Sequence, residues 1–200
     1  MEAATGQRPI EGEKAVRIVD AMRASVAERG VAASTFDHVA REAQVSRGLL
    51  HYYFGTKERL LAEVVRRDCD LRMAVIDEQL AGAGSADDVI DGLVASLQEM
   101  VVDDSAFITL VFELFTLSRR NPEIAAEFAE LLRRTRDHVA HLLSEKEAAG
   151  VLALHAPPDA VADVLFSMAD GVAMRMLTER DRDFGPSVAA GVRAIRALID

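Results

Sequence analysis

Apolar residues recur at intervals of three and four along most of this chain, with polar residues between them. That spacing gathers the apolar side chains on one face of an α-helix. The first such stretch is about Glu11–Arg29, with Ala15, Ile18, Val19, Met22 and Val26 in the stripe and Gly30 suited to end it. Ser34-Thr-Phe-Asp37 reads as a capping box, in which the Ser oxygen takes a free backbone N–H and Asp37 reaches back. It predicts a short helix to about Ala43. Ser46 caps a second short helix, about Arg47–Tyr53. Thr56 caps a long one, about Lys57–Leu80, with Leu60, Leu61, Val64, Val65 and Leu71 inward.

Gly82-Ala-Gly-Ser85 breaks the pattern, and Ser85-Ala-Asp-Asp88 opens a helix to about Val102. Ser105–Arg119 follows. Its run Phe107–Phe115 is apolar on nearly all sides apart from Thr109 and Glu113, which predicts deep burial. Asn121-Pro122 reads as a cap and first-turn proline for a helix to about Ala149, stopped by Gly150. Two more stretches, about Asp159–Leu177 and Pro186–Ile199, complete nine helices. Val64-Val65 and Val101-Val102 sit inside helical periodicity, and no stretch alternates with a period of two. The fold class is all-α: a three-helix head over residues 1–56 and a helical body over 57–200.

The head carries the chemistry. Phe36, Val39, Ala40, Ala43, Val45 and Leu50 can share one small core, and the alanines let two short helices approach closely. The outer face of the second is then left with Arg47, Gly48, His51 and Tyr52, and Tyr53 towards its end. These side chains can exchange hydrogen bonds with base edges or pack on thymine methyls, and Gly48 permits close backbone approach. Helix N-termini at Thr35, and at Ser46 and Arg47, offer N–H groups to phosphate. Lys57 opposes the dipole at its own helix start, so a phosphate contact explains it better than local structure. Gln44 stands in a turn that needs a tolerant backbone.

The net charge of −10 argues at first against a nucleic-acid partner. The excess is uneven: residues 1–68 hold 11 Lys and Arg against 10 Asp and Glu, whereas 69–200 hold 12 against 23. A near-neutral head with cations on one face can still bind DNA. No apolar run is long enough to span a membrane, and residues 1–9 lack a signal-peptide core. With Cys69 the only cysteine, a cytoplasmic protein is expected.

Val39-Ala-x-x-Ala43, Val45-Ser-x-Gly48, Leu50, Tyr53-Phe54, Lys57-Glu58 and Leu60-Leu61 together resemble the TetR family of bacterial regulators. The His51-Tyr-Tyr-Phe54 end is most similar to its BetI-like branch. The resemblance implies an all-α homodimer whose third helices enter the major groove of a near-palindromic double-stranded DNA operator. It carries DNA contact over to Thr35, Arg47, Gly48, Leu49, His51, Tyr53 and Lys57. Gln44, in place of the usual glycine, and His51, in place of the frequent tyrosine, depart from the pattern.

For the body, the resemblance makes the last two helices a dimer interface, through Val161, Leu165, Met168 and Val172 on one and Val188, Val192, Ile195 and Ile199 on the other; ordinary intrachain core is the competing reading. Met100, Phe107, Val111, Phe112, Phe115, Phe128, Phe166 and Met174 can line a pocket for an apolar or aromatic small-molecule effector, or simply pack. Glu113, Asp170 and Arg175 interrupt apolar helices, and each can orient a ligand or pair with another buried group. His138, His141 and Glu145 share a helix face, read as solvated and not as a metal site. No cofactor or catalytic motif is found. The expected function is a ligand-responsive transcriptional repressor. The alternatives are an activator, or a module of the same fold that no longer reads DNA.

Overall fold

The computed structural model describes residues 12–102 and 105–200, with no side chain described over 100–105. Among the described residues the chain forms nine α-helices: α1 (Glu13–Ala33), α2 (Phe36–Glu42), α3 (Arg47–Phe54), α4 (Lys57–Ala81), α5 (Ala86–Val102), α6 (Ser105–Ser118), α7 (Pro122–Ala148), α8 (Pro158–Thr178) and α9 (Gly185–Ile195). Two compact units result, one ending at Val65 and the other spanning Arg66–Asp200. Glu11, the expected first residue of α1, lies outside the described residues.

In the first unit, α1 buries Ala15, Ile18, Val19, Met22 and Val26, and α2 and α3 add Phe36, Val39, Ala40, Leu50 and Phe54. Leu60, Leu61, Val64 and Val65 of α4 are also wholly buried. Each of these side chains larger than alanine contributes about 1.5–3 kcal/mol by leaving water. Helical geometry breaks at Gly30, whose φ of 76° is open to glycine at no steric cost, and one further turn carries the chain to Ala33.

The next cap lies one residue later than expected. Thr35, not Ser34, caps α2: its hydroxyl accepts from the His38 N–H at 3.3 Å. Ser34 is fully buried and donates to the Gly30 carbonyl at 2.9 Å while accepting from the Ser25 hydroxyl at 3.0 Å. The carbonyl left free at the Gly30 break claims Ser34, and Asp37 turns to Arg47.

The second unit is built around α7, which packs on both α6 and α8. Ile76, Leu80, Val89, Ile90, Val139, Leu143, Leu152, Val161, Ala162, Ile195 and Ile199 form its core. Ser85 caps α5 through the Asp88 N–H, and the Asn121 side chain accepts from the N–H groups of Glu123 and Ile124 to start α7. Three sequence expectations fail here, the first being Leu71 of α4, expected inward but 57% exposed. The α6 run is not buried all round: Phe107, Ile108, Leu110 and Leu114 are buried, but Phe115 is half exposed. And α9 ends at Ile195, not Ile199. Beyond it the backbone pairs antiparallel with residues 153–155, through Ala153 N–H to Asp200 O at 2.6 Å, Asp200 N–H to Ala153 O at 3.0 Å and His155 N–H to Leu198 O at 3.0 Å. His155 Nε2 and the Asp200 carboxylate, 2.7 Å apart, close the same contact.

Candidate nucleic-acid interface

The turn between α2 and α3 decides which way α3 faces. Gln44 adopts a φ of 54°. Its N–H donates to Arg41 O at 3.2 Å and the Val45 N–H donates to Ala40 O at 2.9 Å, the two bonds of a Schellman motif with Gln44 at the left-handed position. Ser46 then caps α3 by accepting from the Leu49 N–H at 3.3 Å. Leu50 and Phe54 anchor the helix in the head core. Because they take the inner face, Arg47, Gly48, His51 and Tyr52 are exposed and Leu49 and Tyr53 half-buried.

Each exposed group has a definite setting. Arg47 Nη1 holds both carboxylate oxygens of Asp37, at 3.2 and 3.3 Å, with both side chains largely in solvent. A Cβ added to Gly48 would meet nothing nearer than the Ser46 hydroxyl at 3.9 Å, so the backbone there lies open. Tyr52 is 74% exposed, the most of any large apolar or aromatic side chain described, and meets Tyr53 edge-on at 5.4 Å. His51 Nδ1 donates to the Gly55 carbonyl at 3.1 Å, and its ring stands edge-on to Phe36 at 4.8 Å. Lys57 has a partner that the sequence did not suggest: its Nζ donates to the Val31 carbonyl at 2.5 Å.

In the body, the expected dimer row divides. Val161, Ile195 and Ile199 are buried in their own unit's core, which corrects their assignment to a partner-facing surface. Leu165, Met168 and Val192 pack on the same core but keep part of their surface, and Val172 and Val188 are half-buried. Met168 and Val172 also border an opening of about 420 Å³ along α8 and α9, with Gly171, Ala190, Gly191 and Ala194.

Of the expected pocket residues, Phe107 is buried under the Arg72 guanidinium at 4.3 Å, and Phe128 is buried 6.4 Å from the half-exposed ring of Phe115. Val111, Phe112 and Phe166 are half-buried, and Met174 is exposed. Met100 falls where no side chain is described. A second opening, of about 470 Å³ between α4 and α7, is lined instead by polar groups such as Asp70, Asp77, Arg134 and His138. Those groups are already paired, Arg134 with Asp70 at 2.8 Å and His138 with Asp77 at 2.7 Å. His141 turns to Glu145, at 3.4 Å, so the two histidines of this helix face have separate partners. Burial, with Asp68 and Asp70 adding to it, pushes the Cys69 thiol up to about 12, so it is no nucleophile at neutral pH.

Two family models match this architecture. Residues 18–64, holding the capped α2–α3 pair, match the description "Bacterial regulatory proteins, tetR family", and residues 84–200 match "Tetracyclin repressor-like, C-terminal domain". The chain belongs to the TetR family. It is therefore a DNA-binding transcriptional regulator and not an enzyme. TetR-family relatives bear this out over nearly the full length. The chain is 23% identical to the HTH-type transcriptional regulator UidR of Escherichia coli K12 over 179 residues, 90% of this chain and 89% of that one. Likeness to BetI of Agrobacterium fabrum is higher, at 43%, but spans 49 residues, 24% of each chain. Among solved structures, a transcriptional regulator from Rhodococcus sp. RHA1 superposes with a TM-score of 0.74 at 19% identity, covering 91% of this chain and 92% of that one. Among the described residues of this TetR-family chain, no helix is long and apolar enough to cross a membrane.

Proposed function

We propose that this TetR-family protein is a homodimeric, effector-responsive repressor that lays α3 of each head into the major groove of a near-palindromic operator. One observation carries the reading: α3 is anchored by Leu50 and Phe54 while Arg47, Gly48, His51 and Tyr52 stand exposed on its other face. Those four, with Leu49 and Tyr53, are the proposed reading edge. Thr35, Ser46 and Lys57 are the proposed phosphate contacts. Major-groove readers of this kind place the start of a recognition helix against base edges.

A second copy is the proposed occupant of the small-residue surface of α8 and α9, where Gly171, Ala190, Gly191 and Ala194 allow close helix approach. The proposed effector is an apolar or aromatic small molecule held near the Phe115–Phe128 ring pair. It would act by differential affinity for the operator-binding and operator-free conformations. The BetI-like kinship is proposed for the head alone, because that likeness ends within 49 residues. A regulator of chromosomal genes works in the cytoplasm, which is where we place it.

The test is a gel-shift of the full chain on DNA upstream of its own coding region, titrated with salt. Site-specific retardation that weakens steeply with salt is expected. Retardation equal on unrelated DNA, or none, refutes the reading.

A further inference from the structure

We infer that His51 reads the operator as a hydrogen-bond acceptor, and so selects adenine or cytosine at the base it reaches; this rests on the proposal that α3 enters the major groove. The ring is held at two points. Its Nδ1 lies 3.1 Å from the Gly55 carbonyl oxygen, and the Phe36 ring meets it edge-on at 4.8 Å with planes 67° apart. The backbone closes the same contact in the other direction, since the Gly55 N–H donates to the His51 carbonyl at 3.0 Å. Gly55 can take part because its φ of 71° turns the chain back over the end of α3.

This arrangement fixes the tautomer. A carbonyl oxygen only accepts, so Nδ1 carries the hydrogen. A neutral imidazole has one such hydrogen, which leaves a lone pair on Nε2. The residue is exposed, and among the described residues Nε2 has no protein partner. In the major groove the donors are the amino groups of adenine and cytosine; guanine N7 and O6, thymine O4 and every phosphate oxygen accept. A neutral His51 thus pairs with adenine or cytosine and gains nothing from guanine or the backbone. Arg47, one helical turn earlier, only donates. The face of α3 therefore carries two readers of opposite polarity, where a tyrosine at position 51 could both donate and accept.

The experiment is selection of binding sites from randomised duplex DNA at about pH 8, with the full-length wild type and His51→Lys. In the wild type, one symmetry-related pair of base pairs should be favoured about five- to tenfold, and replacing its adenine by purine, or its cytosine by pyrimidin-2-one, which lack the major-groove amino group, should cost the same factor. In His51→Lys, a pure donor, that replacement should cost nothing beyond its effect on unrelated positions. Loss of the amino group without effect on the wild type, or an equal effect on both proteins, overturns the inference while leaving operator reading intact. Failure to enrich any sequence overturns the DNA-reading proposal itself. Should His51→Lys not fold, nitrogen NMR of histidine-labelled wild type decides: a hydrogen on Nδ1 supports the inference, and one on Nε2 overturns it.

Discussion

Lys57 Nζ donates to the carbonyl of Val31 at 2.5 Å, tying the start of α4 to the turn that follows the Gly30 break. One ammonium hydrogen is thus committed within the head, and two remain for a phosphate. Lys57→Ala should show both losses separately. Without DNA, the urea midpoint of the head transition should fall by the equivalent of about 1 kcal/mol, the usual value of such a bond when half-buried. With DNA, binding should weaken alike on all sequences and the salt slope should drop by about 1. A lowered midpoint with an unchanged salt slope would make Lys57 purely structural.

Arg47 is restrained before it meets DNA, by the Asp37 carboxylate. The pair is largely in solvent, so it adds at most about 1 kcal/mol to folding. Its larger effect is on recognition, because Asp37 places a negative charge beside the reading edge. Asp37→Asn should leave the melting temperature nearly unchanged and tighten binding to operator and random DNA several-fold at low salt. Arg47→Ala should weaken operator binding by about 1–3 kcal/mol and relax base preference at one position. Fluorescence anisotropy on both DNAs at two salt concentrations checks each outcome.

Gln44 adopts the left-handed geometry on which the α2–α3 turn depends, at a cost of about 1–2 kcal/mol for a residue with a Cβ. Gln44→Gly should remove that strain and lose part of the gain to a more flexible unfolded chain, for a net stabilisation of up to about 1 kcal/mol. Gln44→Val should destabilise by more than that. If glycine lowers stability in chemical denaturation, the Gln44 side chain contributes something that the turn geometry does not reveal.

The same residue illustrates what was legible in advance. The helices were readable because their stripes, caps and breakers are local, as Ser46, Thr56, Ser85 and Asn121 attest. The exposed edge of α3 was readable because Leu50 and Phe54 are large and the residues between them polar. What failed depended on distant partners. Ser34 and Thr35 are both favoured cap residues, and Ser34 is withdrawn from that role by the Gly30 carbonyl and by buried Ser25, nine positions away. The apolar spacing of α9 runs on through Ile199, but residues 153–155 draw the backbone out of the helix. Val161 and Ile195 have the spacing of an interface and the burial of a core, and spacing alone does not separate the two.

Two carboxylates should pull the pH dependence of stability in opposite directions. The Ser85 hydroxyl, with the Gly84 N–H, holds the Asp88 carboxyl below its usual range. Its folded pKa is depressed, so the stabilisation is complete above the unfolded value, about 4, and is lost as pH falls through the folded one. Asp170 on α8 is exposed by its surface area, yet the desolvation it does undergo pushes its carboxyl up. Here the ionised form is the disfavoured one, so the cost is absent below the unfolded pKa, grows as pH rises through the interval up to the folded one, and persists at neutrality. Asp88→Asn should therefore melt lower than wild type at about pH 7 and approach it only as pH falls through the depressed carboxyl range, whereas Asp170→Asn should melt higher at about pH 7 and converge with wild type once pH is below the usual carboxyl value of about 4. Covering α8 with a second copy would desolvate Asp170 further, so its gain should grow with protein concentration if α8 lies in the dimer interface. Melting curves of both variants at two protein concentrations test this, and a concentration-independent Asp170→Asn gain would move the interface away from that part of α8.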